Sequence, residues 1–339
     1  MRYRRLGSTG LLVSELCFGA MTFGDSPWKL GGVDQQTADR MVGRCLEAGI
    51  NCFDTADIYS DGASEEILGR SLGGRRGEVV LATKVYGRMG PGPNDQGLSR
   101  RHVLAAAEDS LRRLGTEWLD LYQVHGFDPL TPLEETLGAL DDLVRAGKVR
   151  YIGLSNFAAW QTMKALAISD GHGWSRFVSA QMHYSLLGRD IEEEVVPLAL
   201  DQGLGILCWS PLSGGFLSGK YRSGETPPGT RFGDRQLWFP PFDREMGFHA
   251  LKAVEEIAAE AGATPAQVSL AWLLTRDGVA SVILGARRLE QLEDNLRAAE
   301  LTLAPEQVAR LEELTRPAAR YPRWMVERQS AGRAAGPVS

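Results

Sequence analysis

The chain has 339 residues, enough for two average domains or for one α/β barrel of about 250 residues with insertions. Hydrophobic residues make up 43% and charged residues 24%, the balance of an ordinary globular protein with a sizeable core. The formal charge of −6 excludes non-specific nucleic-acid binding, which needs a basic footprint, but leaves room for a local basic pocket around one anionic ligand.

Cys17, Cys45, Cys52 and Cys208 lie far apart, with no C-x-x-C pair, and read as reduced thiols of a cytoplasmic protein. No metal site is expected. The opening Met1-Arg2-Tyr3-Arg4-Arg5 carries the charge of a secretion signal, but Ser8, Thr9, Ser14 and Glu15 interrupt the apolar run that should follow. No apolar run approaches the roughly 18 residues of a membrane span, so no membrane partner is expected.

In chain order, short β-like runs alternate with amphipathic helical stretches. Residues 16–18 form a first strand, followed by a helix over 34–48 with Asp34 as N-cap and Gly49 as the stop. Strand 52–54 and helix 64–72 come next, then the buried strand 79–83 and helix 100–114. Strand 119–125 leads to a helix that opens on the capping box Thr131-x-x-Glu134, with Pro132 at the first helical position. The fifth pair is 149–154 and 158–168, and the sixth 179–182 and 192–202. Strand 205–209 is the seventh, and an irregular stretch over 210–246 delays its helix to 249–261. An extra helix capped by Thr264-Pro265-x-Gln267 precedes the eighth pair, 281–284 and 289–298. One more helix, 305–314, precedes a Pro-, Arg- and Gly-rich tail. Eight β–α pairs without a linker predict an α/β fold: a single (β/α)8 TIM barrel with extra helices and a long loop after the seventh strand. The barrel is expected over 1–316, and the tail, 317–339, is expected to be partly ordered at best.

In such a barrel the C-terminal strand ends converge on one mouth. Asp54 ends the second strand, with Tyr59 in the loop behind it; Lys84 ends the third and His125 the fourth. Charged groups at the ends of apolar strands are costly to bury singly. Together they make chemical sense. An ammonium beside a phenol stabilises tyrosinate and is expected to move Tyr59 down from its ordinary value of about 10. Asp54 keeps Lys84 charged, and His125 relays or donates a proton. Taken singly, each has a structural reading: an ion pair at a barrel rim, a surface or core histidine, an ordinary loop tyrosine.

The motifs FDTADIYS over 53–60, SEEILG over 64–69, LATK over 81–84 and DLYQVH over 120–125 resemble the aldo-keto reductase signature. So do GLSNF over 153–157, CWSPL over 208–212 and VILGAR over 282–287, so that the resemblance runs from Tyr3 to about residue 315. It implies reversible reduction of an aldehyde or ketone by NADPH, with NADH possible. The family's tetrad falls on Asp54, Tyr59, Lys84 and His125: Tyr59 gives its proton to the carbonyl oxygen, Lys84 and Asp54 tune it, and His125 orients the carbonyl.

Residues 214–221, GGFLSGKY, miss a phosphate-binding P-loop by one letter, Tyr221 standing where the metal-binding hydroxyl belongs. Taken alone, the stretch is equally a surface Gly-rich turn. The resemblance instead lays it along a bound dinucleotide. Trp209 would stack on the nicotinamide, Ser210, Pro211, Leu212, Ser213 and Gly214 would follow the pyrophosphate, and Lys220 with Arg231 would supply counter-charge. Ser155, Asn156 and Gln181 would hold the carboxamide, Ala20 and Met21 would pass under the ribose, and Asp54 would also belong to the cofactor site. Gly285, Arg287, Gln291, Asp294 and Asn295 would surround the adenosine end, the pair Arg287-Arg288 suiting a 2′-phosphate. Phe23, Trp28, Tyr86 and Trp238 are candidate substrate walls, with Phe127, Phe239 and Trp324 further out; such a pocket favours an apolar or aromatic carbonyl.

The long loop resembles the branch of the family that includes bacterial reductases and potassium-channel β subunits. A cofactor-binding regulatory subunit with little turnover is therefore one alternative, although channel-associated relatives carry Asn in place of His125. A keto-sugar reductase is another, and a Schiff-base aldolase using Lys84 a third, disfavoured by Asp54 and Tyr59, which suit a charged amine. The oligomeric state is open.

Overall fold

The computed structural model describes residues 1–25, 32–221 and 239–331. Eight parallel strands close into a barrel: β3 (Leu16–Gly19), β4 (Cys52–Asp54), β5 (Val80–Val85), β6 (Leu119–Val124), β7 (Val149–Ser155), β8 (Phe177–His183), β9 (Gly205–Trp209) and β10 (Val279–Leu284). β10 returns to β3 through Val282↔Leu16, Ile283↔Cys17 and Leu284↔Phe18. These strands are apolar on both faces because each is covered twice, by helices outside and by the barrel interior within. The α/β barrel expected from eight β–α pairs is the fold observed.

Side chains alternate along each strand, and the inward rows decide where chemistry sits. Cys17, Cys52, Ala82, Leu121 and Leu207 belong to one apolar cluster, which we place in the interior. Two residues further along the same rows come Gly19, Asp54, Lys84, Gln123 and Trp209, at the C-terminal end. The interior is thus apolar at its base and polar at its mouth. An antiparallel hairpin, β1 (Tyr3–Arg5) with β2 (Leu12–Ser14), precedes the barrel, and Leu6 and Val13 join the interior cluster as its floor.

The helices follow their strands: α1 (Gln35–Glu47), α2 (Ala63–Leu72), α3 (Arg100–Leu114), α4 (Leu133–Arg145), α5 (Ala159–His172) and α6 (Val195–Gln202). After β9 come α7 (Arg244–Ala261) and α8 (Pro265–Leu274); after β10, α9 (Leu289–Leu296), α10 (Pro305–Thr315) and the exposed α11 (Arg323–Ser330). α1 buries Ala38, Met41, Val42 and Cys45 on one face, and the Asp34 carboxylate caps it by accepting from Thr37 N.

Several local expectations need correction. The N-terminal hairpin was not expected, its strands being three residues each, with Tyr3, Arg5 and Leu12 exposed. The capping box at Thr131 does not form: its hydroxyl donates to Asp128 (2.7 Å), which also accepts from Leu98 N and Leu130 N, and α4 starts at Leu133. α7 begins five residues before 249, because Asp243 accepts from Met246 N and starts the helix inside the supposed loop. α5 runs on to His172, and the sixth helix is split into a turn at Asp190–Glu192 and α6. No helix among the described residues is long and apolar enough to cross a membrane.

Candidate active site

Three strand ends and one loop build the polar mouth. Asp54 is the last residue of β4 and Lys84 the fifth of β5, both buried. Lys84 Nζ donates to Asp54 Oδ1 at 2.5 Å, to the Thr55 carbonyl at 2.8 Å and to the Tyr59 hydroxyl at 3.4 Å. His125 follows β6, its N–H bonded to the Val85 carbonyl, and its ring meets the Tyr59 ring edge-on with centroids 5.7 Å apart. All four chemistry-bearing residues named from the sequence are therefore together on one rim.

Tyr59 is delivered by a tight turn. Ser60 and Asp61 take left-handed backbone angles (φ 51° and 52°) and Gly62 follows at 92°. Two consecutive non-glycine residues in that region store strain that surrounding contacts must hold. The Ser60 hydroxyl donates to the Phe23 carbonyl, and Ser64 Oγ to that of Ala20, locking the turn to the loop after β3.

Burial pushes the Lys84 ammonium down, but Asp54 and Tyr59 outweigh it and leave the group above its ordinary value. It is a cation. For Tyr59 burial is the largest influence and raises the phenol; Lys84 pulls it back and Asp54 raises it again. The expectation that Lys84 would leave the phenol below its ordinary value is thus corrected: desolvation of the tyrosinate wins, and the group stays a protonated acid. Burial, assisted by Lys84, lowers His125 to about 3, so it stands at neutral pH as a neutral imidazole with one N–H to offer, rather than as a cation.

Two residues that sequence reasoning assigned elsewhere or missed complete the set. Asp54 Oδ2 accepts from Gln123 Nε2 (3.0 Å) and Gln181 Nε2 (2.8 Å), which also contact each other. Gln123 was passed over, yet a glutamine buried in an apolar strand two residues before His125 on the same inward row was a readable signal. The expected carboxamide group is clustered: the Ser155 hydroxyl donates to the Gln181 carbonyl, and Asn156 Nδ2 donates to the His125 carbonyl. Asn156 Oδ1 accepts from the Trp209 indole N–H at 3.2 Å, so one amide links strand ends β6, β7 and β9. Trp209 lies between His183, at 4.9 Å, and the ring of Phe239, at 6.1 Å.

After β9, Ser210, Ser213, Gly214 and Gly215 all take positive φ. The Ser213 and Gly214 N–H groups close this turn on Ser210, and Ser213 Oγ meets Ser185 Oγ. Pro211 is buried and Leu212 packs on the core. Lys220 is exposed, its ammonium against Gly215 and over the Tyr221 ring. Across the mouth, Ala20 is buried and Met21 half-buried after β3; Gly285 and Arg287 are exposed after β10, with Arg287 N bonded to Gln291. Asp294 turns its carboxylate to Thr264 and Gln267, and Asn295 is buried in α9.

Of the residues expected as substrate walls, Tyr86 is half-buried just after β5. Phe23 is fully buried against Phe18 (5.5 Å), so its ring presents no surface to a ligand; its carbonyl serves the Tyr59 turn instead. Trp28, Arg231 and Trp238 lie outside the described residues. No cluster of metal-ligating side chains occurs among the described residues.

A family model described as the aldo/keto reductase family matches residues 15–316. The chain is 41% identical over 317 residues to the uncharacterized oxidoreductase YrpG of Bacillus subtilis, covering 90% of this chain and 93% of that one. It is 37% identical to a probable voltage-gated potassium channel subunit beta of Arabidopsis thaliana (89% and 92% covered). It is 35% identical to the versiconal hemiacetal acetate reductase of Aspergillus parasiticus (95% and 99%). With eight strands closed into one barrel and a carboxylate, an ammonium, a phenol and an imidazole on a single rim, the chain belongs to the aldo/keto reductase family, whose members are NAD(P)H-dependent oxidoreductases.

Proposed function

We propose that the protein reduces an aldehyde or ketone to an alcohol with NADPH, Tyr59 acting as the general acid. The observation that carries this reading is the buried chain from Asp54 through Lys84 to the Tyr59 hydroxyl, at 2.5 and 3.4 Å. Because the phenol oxygen accepts from the ammonium, its own proton is free to point at a substrate oxygen, and negative charge passing to the phenol is met at once by Lys84. His125, neutral, offers an N–H to the same oxygen and orients it. Gln123 and Gln181 saturate the far oxygen of Asp54, so its charge stays aimed at Lys84.

The residues present fit a nicotinamide dinucleotide. Amide and hydroxyl groups of Ser155, Asn156 and Gln181 lie beside the Trp209 indole, the environment a planar carboxamide-bearing ring needs. Exposed cations at Lys220 and at Arg287 and Arg288, where α9 begins, suit its phosphates, and the Arg287–Arg288 pair supports NADPH over NADH. When bound, that cofactor supplies the hydride. The chain's own part is to hold the carbonyl and deliver the proton. Tyr86 and Phe239 supply apolar surface for an aromatic or aliphatic carbonyl.

The test is NADPH oxidation with a panel of aldehydes, ketones and keto-sugars, run beside Tyr59→Phe. Loss of a well-placed general acid costs about 10²–10⁴-fold. We expect the variant to lose turnover on that scale while still binding NADPH, seen as quenched tryptophan fluorescence. Equal turnover in the variant refutes the mechanism. Cofactor binding without turnover by the unaltered protein favours the second reading, a regulatory subunit like the potassium channel subunits among its relatives.

A further inference from the structure

A second carboxyl group, two residues before Tyr59 in the chain, has no part in the mechanism above. Asp57 is fully buried. Its backbone N–H donates to the Lys84 carbonyl (3.2 Å), and its Oδ1 accepts from Ile58 N (2.7 Å), pinning the first residue of the turn that carries Tyr59. Its other oxygen, Oδ2, is buried and has no hydrogen-bond partner among the described residues. A neighbouring acid, Glu65 on α2, is equally buried but fully engaged, with Thr83 Oγ1 at 2.5 Å and Arg113 Nε at 2.6 Å. The Arg113 guanidinium is therefore committed to Glu65 and not to Asp57 Oδ2. Its stem also packs on Gly62, where a Cβ would lie 2.7 Å from Arg113 Cδ.

We propose that Asp57 is a positioning residue for Tyr59: its Oδ1 holds the strained turn in place, and the charge on its unshared oxygen governs how readily the phenol gives up its proton. This rests on Tyr59 being the general acid. The groups that face Asp57 from the surrounding elements are Lys84 on β5, Glu65 on α2, Arg113 on α3, Tyr122 on β6 and Tyr59 itself. A carboxylate oxygen without a donor in a dry site favours the protonated form. Burial, then Glu65, accordingly raise Asp57 from its ordinary 3.8 to about 7, against Ile58 N–H, Arg113 and Lys84. Ionised Asp57 in turn raises Tyr59, making it the weaker acid.

The sign follows. As pH rises through about 7, Asp57 loses its proton, the phenol holds its own more tightly, and carbonyl reduction slows before Tyr59 itself titrates. Asp57→Asn keeps an oxygen for Ile58 N–H but cannot ionise. We expect the pH profile of kcat/KM for reduction, normalised to each protein's acid plateau, to show an inflection near 7 in the wild type and none in Asp57→Asn. Asp57→Ala, which also frees the turn, is expected to lower the plateau itself. A second readout needs no turnover. A carboxyl raised on folding stabilises the native state below about 4 and loses that contribution as pH rises to about 7. The denaturation midpoint of Asp57→Asn should therefore gain on the wild type across that window.

An inflection near 7 that survives in Asp57→Asn overturns the proposal, as does a uniform rate loss with unchanged profile shape and no midpoint gain. Tyr59→Phe, run in parallel, separates the two readings. If it is inactive while the two Asp57 profiles coincide, only the role of Asp57 fails; if it is active, the general-acid reading fails.

Discussion

Lys84 has no accessible surface, yet three oxygens converge on its ammonium, and this explains why a charge is tolerated inside a barrel. A buried ion pair recovers its desolvation cost only when the remaining valences are met, and here Gln123 and Gln181 meet those of Asp54. Removing one partner strands the other. Lys84→Met is expected to destabilise the fold by about 3 kcal/mol, because Asp54 would keep two amide donors but no counter-charge. Urea unfolding at neutral pH measures it. A variant as stable as the wild type would mean that the glutamines alone suffice for Asp54, and that the ammonium is kept for its effect on Tyr59.

At the scale of elements, helix starts are set by local hydrogen bonds that tertiary contacts can reassign. Thr264 shows the local rule obeyed: its hydroxyl accepts from Gln267 N, and Gln267 Oε1 accepts from Thr264 N. Both side chains also donate to Asp294, so the cap fastens α9 to α8. We expect Thr264→Ala to cost about 1–2 kcal/mol, at the upper end for a lost N-cap, read from the shift in thermal midpoint. A shift within error would show that Gln267 holds Asp294 alone. Thr131 shows the same motif overruled, because Asp128 takes its hydroxyl into a loop cluster. This contrast explains what was legible in the sequence. Strand and helix order, the rim residues Asp54, Tyr59, Lys84 and His125, and the Asp34 and Thr264 caps follow from periodicity, local donors and motif. The early start of α7 rests on a local cap, Asp243, that was passed over inside an irregular stretch. The Thr131 cap is lost to Asp128, which Leu98 N, 30 residues away, also engages, and the hairpin has strands of only three residues. The phenol's direction of shift was missed because an adjacent ammonium can be read from motif spacing, but the depth of burial cannot.

For the whole molecule the barrel divides its labour between two ends. The mouth carries strain and buried charge, and the floor supplies the compensating cohesion. The floor depends on Arg4, whose guanidinium donates to the carbonyls of Leu274 (2.7 Å) and Val279 (2.9 Å) and to Glu15 (3.3 Å). It thereby clamps the hairpin to α8 and to the strand that closes the barrel. Close backbone approach reinforces the seam: Gly7 has φ of 61°, and a Cβ there would lie 2.3 Å from the Gly203 carbonyl oxygen. Glu15 is buried, and one of its oxygens already lacks a partner among the described residues. Arg4→Ala would leave it only the largely exposed Arg2. A buried carboxylate losing its better cation, together with two carbonyls losing charged donors, is expected to cost about 2–4 kcal/mol. Since Arg4 bonds the start of β10 while Asp54 and Lys84 lie at the opposite, C-terminal strand ends, kcat measured well below the unfolding midpoint should stay within about twofold of the wild type. A matching fall in kcat would instead show that closure at β10 and β3 sets the register of Asp54 and Lys84, making floor and mouth one mechanical unit.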